Sequence, residues 1–126
     1  MQHETFIDYC KKIPFAEEVF PFDHNLMTWQ IKGKIFAIIS TDPEGWYVLK
    51  CNPEWSAELK EEWMEIEPAW HCNKKYWIQL DLTGSLPDDL IRELIRHSYE
   101  EVVKKLPKKV QADLHGQGAF SEADNY

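Results

Sequence analysis

Eight polar, basic and aromatic side chains form the best candidate for a binding surface in this sequence. Lysine ammonium groups neutralise phosphates, and an indole ring beside them can stack on a base. Trp77 lies on the polar face of an otherwise alternating strand, two residues after the polar run Asn73-Lys74-Lys75. The predicted nucleic-acid or ligand-binding residues are Lys32, Lys34, Lys50, His71, Asn73, Lys74, Lys75 and Trp77.

The same residues allow two simpler interpretations. Trp77 belongs to the core if a second layer of structure covers its ring. The lysines are ordinary solubilising charges if the fold scatters them over the surface. The binding hypothesis therefore requires that these cations and one indole share a single exposed rim of the folded protein.

Catalytic chemistry has less support from the residue pattern. His71 and Cys72 are adjacent, and on an extended chain neighbouring side chains point in opposite directions. No Gly-x-Ser-x-Gly nucleophile elbow is present. An enzyme would need a cleft that joins His71 to a carboxylate such as Asp81. We therefore predict a protein that is not an enzyme and has no catalytic residues.

Metal and cofactor sites are not indicated by the spacing of the possible ligands. His24, Cys51, His71 and Cys72 could meet in space, but the sequence has no Cys-x-x-Cys or His-x-x-x-His pair. It has no Walker loop and no Gly-x-Gly-x-x-Gly motif. We predict neither a metal nor a cofactor. The three cysteines, an odd number without pattern, favour reduced thiols in a cytoplasmic protein.

Length and charge limit the possible partners. The chain has 126 residues, enough for one domain with a core. Its formal net charge of −8 opposes non-specific attraction to nucleic acid and to anionic membranes. Its two arginines, Arg92 and Arg96, leave little capacity for bidentate base recognition. No apolar run is long enough to span a bilayer, and we predict a cytoplasmic protein, favoured as a monomer, without membrane contact.

Hydrophobic spacing predicts the elements that position the candidate residues. Apolar residues at helical spacing predict an N-terminal helix over residues 5–12. Alternation predicts a half-buried strand at residues 27–32, and residues 46–50, which follow a turn, are predicted to form a further strand. Between them, the continuous apolar run 35–39 predicts a strand buried on both faces. These three strands form an antiparallel meander.

A second helix and two more strands follow. Asn52 caps the helix with Pro53 at its first position, and the helix runs to about Met64. Residues 65–70 can form a short strand, which Pro68 restricts to an edge of the sheet or to a strand end. Residues 76–82 alternate and form the next strand.

The longest helix begins at a predicted capping box, Ser85-x-x-Asp88, with Pro87 in its first turn. A stripe of apolar residues at helical spacing runs to Leu106, so this helix covers the sheet. We expect a single domain over residues 1–115. Residues 116–126 are polar, and we expect them to form a flexible C-terminal tail.

Six short motifs recur in an order that resembles the MmcQ/YjbR family of small bacterial proteins. They extend over roughly residues 5–110. The motifs are Phe20-Pro21-Phe22, Lys32-Gly33-Lys34-Ile35-Phe36-Ala37, Leu49-Lys50-Cys51-Asn52-Pro53-Glu54, Pro68-Ala69-Trp70-His71-Cys72-Asn73-Lys74-Lys75-Tyr76-Trp77, Gly84-Ser85-Leu86-Pro87-Asp88 and Ser98-Tyr99 before Leu106-Pro107.

This resemblance implies a frataxin (CyaY)-like α+β fold, a two-layer sandwich of an antiparallel sheet with helices packed on one face. It also brings the description double-wing DNA-binding, and it implies no catalytic residues. The matching positions place a functional surface at His71, Asn73, Lys74 and Trp77, with Lys50. We expect a DNA-binding module that uses a lysine and aromatic edge on duplex DNA. The alternative is a protein-interaction or small-ligand module without a nucleic-acid role.

Overall fold

The computed structural model describes residues 1–21, 24–40, 45–69 and 72–116. Over these ranges the chain forms an α+β fold of an antiparallel sheet with helices packed on one face, which confirms the predicted class. The helices are α1 (His3–Lys12), α2 (Pro53–Glu62), α3 (Asp88–Val103) and α4 (Lys108–Gly116). The strands are β1 (Glu17–Val19), β2 (Leu26–Ile31), β3 (Lys34–Ser40), β4 (Tyr47–Lys50), β5 (Ile66–Pro68) and β6 (Trp77–Leu80).

The six strands form one sheet in the order β1-β2-β3-β4-β6-β5, and all neighbours are antiparallel. The predicted meander of β2, β3 and β4 is confirmed. Strand β5, which contains Pro68, lies at one edge as predicted. The other edge is β1, which the sequence pattern did not predict. Its short length and its acidic residues Glu17 and Glu18 are typical of a protected edge strand.

A tight turn and a bulge shape the hairpin of β2 and β3. Lys32 (φ 50°) and Gly33 (φ 79°) both adopt the left-handed conformation that a two-residue hairpin turn of type I′ requires. The register shifts between Trp29 and Gln30, where β3 carries Phe36 as an extra residue. Residues Ile35 and Ile38 of β3 are only half-buried. The prediction that this strand is buried on both faces is therefore wrong.

Helix α3 supplies most of the helical side of the core. Its predicted apolar stripe is confirmed, because the buried residues include Ile91, Leu94, Ile95, Tyr99 and Val102. The ring of Tyr99 meets that of Phe36 on β3 edge to face. Helix α1 contacts the same sheet through Phe6, whose ring centre lies 4.9 Å from that of Tyr47. None of the helices in the described ranges has the length and apolar character needed to cross a bilayer.

The two predicted helix caps have different outcomes. The Asn52 side chain accepts a hydrogen bond from the Trp55 amide at 2.8 Å, so the cap of α2 is confirmed. The capping box of α3 is wrong, because the N-cap position is Pro87 and not Ser85. The Ser85 amide, which Asp88 would accept in a capping box, donates instead to the Glu65 carboxylate at 2.6 Å, and the Ser85 hydroxyl donates to the same oxygen at 2.7 Å. Helix α3 instead begins after Pro87, without a side-chain cap.

A fully buried hydroxyl connects α3 to two strands. The Ser98 Oγ accepts a hydrogen bond from the Lys50 amide at 2.8 Å and donates one to the Phe36 carbonyl. Because the end of β4 has this partner on α3, the backbone at Lys50 is held against the helix. Ser98 therefore fixes where the sheet and the end of α3 meet.

We expect Ser98→Ala to lower the free energy of unfolding by about 1–3 kcal/mol, because it leaves a buried amide and a buried carbonyl without this partner. Ser56→Ala is the matched control. Ser56 is equally buried, but its hydroxyl has no hydrogen-bond partner among the described residues, so its removal should be neutral or stabilising. Urea unfolding measures both values. Equal losses in the two variants would contradict the assigned role of Ser98.

Candidate functional site

Three lysines from distant parts of the chain line one open cavity at the end of the sheet. Lys34 is the first residue of β3, Lys50 is the last residue of β4, and Lys105 follows the end of α3. The cavity has a volume of about 260 Å³. We call it the lysine pocket, and its walls are Lys34, Ile35, Lys50, Val102, Lys105 and Leu106.

Local structure explains why these lysines meet. The type I′ turn closes β2 onto β3 so that Ile31 pairs with Lys34, which starts the new strand at the pocket. Ser98 holds the backbone of Lys50. Helix α3 ends at Val103, four residues before Pro107, whose ring cannot continue a helix. Lys105 therefore leaves the helix beside the ends of the two strands.

Aromatic rings adjoin the pocket on the side of β6. Lys50 pairs with Trp77 across β4 and β6, and its Nζ lies 5.7 Å from the centre of the indole ring. The ring of Tyr76 has two ammonium groups over it, Lys75 at 5.5 Å and Lys105 at 5.1 Å. Both rings are half-buried, and such cation–π contacts are favourable.

The electrostatics of the pocket are most evident at Lys50. Its pKa is lowered, first by desolvation and next by the ammonium group of Lys105. The carboxylate of Glu101 opposes this and raises the pKa, and Lys34 and Lys104 lower it further. Glu101 forms an ion pair with Lys104 at 2.5 Å. The free protein thus gathers like charges here, and an anion would relieve their repulsion.

The predicted site residues have different outcomes. Lys34, Lys50, Lys75 and Trp77 come together at the pocket or at its aromatic side. Exposed Lys32 occupies the hairpin tip two residues before Lys34, and exposed Lys74 lies in the turn before β6. The Asn73 side chain accepts a hydrogen bond from the Lys75 amide at 3.0 Å, so it shapes that turn.

His71 lies outside the described residues, so its place in the site stays a prediction. Three residues of the site, Tyr76, Lys104 and Lys105, are not among those predicted from the sequence. A signal for the two lysines was present, since they form a basic pair at the C-terminal end of the longest helix, immediately before Leu106.

The cysteines do not contribute a reactive thiolate. Cys10 and Cys51 are buried, and Cys72 is half-buried; all three are free thiols. Burial raises the pKa of Cys51 to about 12, and it also raises the pKa of Cys10 and of Cys72. Within the part of the chain that the structure describes, no group of three or more His, Cys, Asp or Glu residues is arranged to hold a metal ion.

Histidine 97 joins α3 to the start of α2, next to Ser98. Its Nε2 accepts a hydrogen bond from the Asn52 amide at 3.1 Å, so the proton of the neutral ring is on Nδ1. The ring lies edge to face against Trp55, with centres 4.7 Å apart. Burial lowers the pKa of His97, although Glu101, Glu100 and Glu93 oppose this effect; Lys104 adds to it.

We predict that His97 makes the folded state less stable at acidic pH. Its pKa is about 6.5 in the unfolded chain and lower in the folded protein, so the unfolded state binds the proton more tightly. The contribution of His97 is complete above about pH 6.5 and is lost as pH falls through the folded pKa. Urea unfolding at a series of pH values from 8 down to about 5 measures this loss.

A His97→Gln variant should lose less stability over this interval, because the amide oxygen can accept the Asn52 hydrogen bond and does not titrate. His24→Gln controls for the loss of a histidine, since His24 is exposed. If the His97→Gln variant kept the full pH dependence of the parent protein, the assigned role of His97 would be wrong.

The chain is similar in sequence to known proteins over most of its length. A family model described as YjbR matches residues 11–101. The sequence is 33% identical over 111 residues to the uncharacterized protein YbdF of Escherichia coli O157:H7, covering 86% of this chain and 90% of that protein. It is 30% identical over 110 residues to the uncharacterized protein YjbR of Escherichia coli K12, covering 86% of this chain and 93% of that protein.

Two solved structures have a similar fold. The crystal structure of Deinococcus radiodurans protein DR2400, described as a DUF419 domain, superimposes with a TM-score of 0.86 at 30% identity, covering 100% of this chain and 96% of that chain. The crystal structure of a Pseudomonas syringae protein superimposes with a TM-score of 0.68 at 27% identity, covering 80% of this chain and 98% of that chain.

Proposed function

The chain belongs to the YjbR family, and from this premise we propose that it is a nucleic-acid-binding module that contacts phosphates through the lysine pocket. The observation that supports the proposal is the convergence of Lys34, Lys50 and Lys105 on one cavity in a protein of net charge −8. Lysines that served only solubility would be expected to lie dispersed over the surface and not on one cavity. Like charges that meet in the free protein favour an anionic partner.

The chemistry of the site favours backbone contacts over base recognition. Ammonium groups act as point charges on phosphates, whereas arginine provides the bidentate contacts that distinguish bases. The described residues that line the lysine pocket include no arginine. Exposed Lys32 and Lys74 extend the positive surface beyond the pocket on two turns of the sheet. The expected binding is therefore to duplex DNA of any sequence and depends strongly on salt.

A small anionic ligand is the second candidate, and the shape of the pocket favours it. A cavity of about 260 Å³ is close to the lower limit for small-molecule sites. Its walls combine three lysines with the apolar side chains of Ile35, Val102 and Leu106. Such a cavity suits a compact molecule with an anionic group and a short apolar part. This candidate does not require a nucleic acid.

We predict that the protein binds a fluorescently labelled DNA duplex and that affinity falls steeply between about 50 mM and about 200 mM salt. The double variant Lys34→Gln/Lys105→Gln should bind more weakly. Its slope of log affinity against log salt should be less steep by about 0.9 for each phosphate that the variant no longer neutralises. Fluorescence anisotropy across the salt series measures both quantities.

The matched control is Lys11→Gln/Lys12→Gln, which removes the same two charges from the exposed end of α1. It should bind DNA as the parent does, apart from a small uniform effect of net charge. An absence of binding at low salt would exclude the nucleic-acid role and leave the small-ligand candidate. Equally weakened binding in the two double variants would show that net charge, and not the pocket, governs binding.

A further inference from the structure

Lys50 differs from the other two lysines of the pocket in its surroundings. Lys34 and Lys105 are exposed, whereas Lys50 is half-buried. One side of its ammonium group faces the indole of Trp77, and the side chain also lines the cavity with three apolar residues. Lys50 is thus the amine of the pocket that water reaches least.

An amine in such a place is a better nucleophile than an ordinary lysine. Only the neutral amine has the free electron pair that attacks an electrophile. Desolvation and the cations of Lys105, Lys34 and Lys104 lower the pKa of Lys50 and increase its neutral fraction. Glu101 acts in the opposite direction, but it is also in an ion pair with Lys104. A lysine beside a second cation in a partly apolar pocket is a known arrangement for carbonyl capture.

We propose that Lys50 is a covalent attachment site for short aliphatic 2-oxo acids, which it captures as an imine. The proposal rests on the cavity and on the three lysines around it, and it does not depend on nucleic-acid binding. The carboxylate of the acid lies between Lys34 and Lys105, its carbonyl carbon faces the Lys50 Nζ, and its aliphatic part contacts Ile35, Val102 and Leu106.

The reaction needs no oxidant or reductant. The Lys50 nitrogen donates its electron pair to the carbonyl carbon, and one of the two nitrogen protons moves to the former carbonyl oxygen to give a neutral carbinolamine. Loss of the hydroxyl group together with the remaining nitrogen proton, as water, forms the carbon–nitrogen double bond. The products are one imine and one water, and hydrolysis reverses the reaction. Throughout the reaction the negative charge of the bound carboxylate offsets the positive charges of Lys34 and Lys105.

Reductive trapping tests the proposal on the intact protein. Pyruvate is the probe, and cyanoborohydride supplies the hydride that converts the imine into a stable secondary amine. Digestion and mass spectrometry then locate the adduct. We expect Lys50 to carry several times more adduct than any other lysine at short reaction times. Labelling spread evenly over the lysines, or absent from Lys50, would overturn the proposal.

Two further arms separate carboxylate recognition from simple amine reactivity. Acetone, a neutral ketone of similar size, should label Lys50 with less selectivity, because it has no carboxylate for Lys34 and Lys105. The Lys34→Gln/Lys105→Gln variant should lose most of the pyruvate adduct at Lys50, whereas Lys11→Gln/Lys12→Gln should keep it. Because the pocket variant also raises the pKa of Lys50, acetone labelling is measured in the same variant, and pyruvate labelling should fall by the larger factor. Unchanged labelling in the pocket variant would contradict the assigned contacts.

Lys50→Arg checks that the trapped amine is Lys50, since arginine keeps the charge and cannot form this imine. Its circular dichroism spectrum and unfolding midpoint report whether the fold is retained. A folded Lys50→Arg protein that still gave the same total adduct would overturn the proposal. DNA binding is measured separately, so failure of the trapping experiment and failure of the nucleic-acid proposal are distinguishable.

Discussion

The contact between α3 and the end of β4 is the constraint on which the rest of the site depends. The buried Ser98 hydroxyl is hydrogen-bonded to both the Lys50 amide and the Phe36 carbonyl. The preceding residue, His97, accepts a hydrogen bond from the Asn52 backbone amide. Two adjacent residues of α3 therefore hold the backbone at the end of β4 and at the N-cap of α2. Buried amides need such partners, because an unsatisfied one is costly.

This constraint explains how an acidic protein concentrates positive charge. Helix α3 brings Lys104 and Lys105 to the place where β3 begins and β4 ends, and each of those strand ends carries a lysine. The repulsion among these cations is an energetic cost in the unbound protein. The carboxylate of Glu101 and the contacts of Lys50 and Lys105 with aromatic rings reduce that cost. Both proposed roles follow from that cost. A bound anion reduces the repulsion directly. A carbonyl compound reacts with the neutral Lys50 amine, whose fraction the repulsion increases.

Sequence patterns predicted the parts of the fold that local physics decides. The meander, the Asn52 cap and the apolar stripe of α3 depend on alternation, capping and helical spacing. Strand β1 was missed because an edge strand with two glutamates has no apolar alternation. The capping box failed because Glu65, twenty residues earlier, accepts the Ser85 amide that Asp88 would have accepted, and the helix begins only after Pro87. That competition depends on tertiary structure.

The candidate site was predicted only in part for the same reason. Lys34 and Lys50 could be chosen because they lie at predicted strand ends, but Lys105 enters the site only through the packing of α3.

The convergence of these lysines is tested most directly by the pKa of the Lys50 ammonium group, measured by NMR of its Nζ in the parent protein and in Lys105→Gln. We expect a pKa below the usual value of about 10.4 that rises when the Lys105 charge is removed. A pKa at the usual value and unchanged by the substitution would show that the three lysines do not converge.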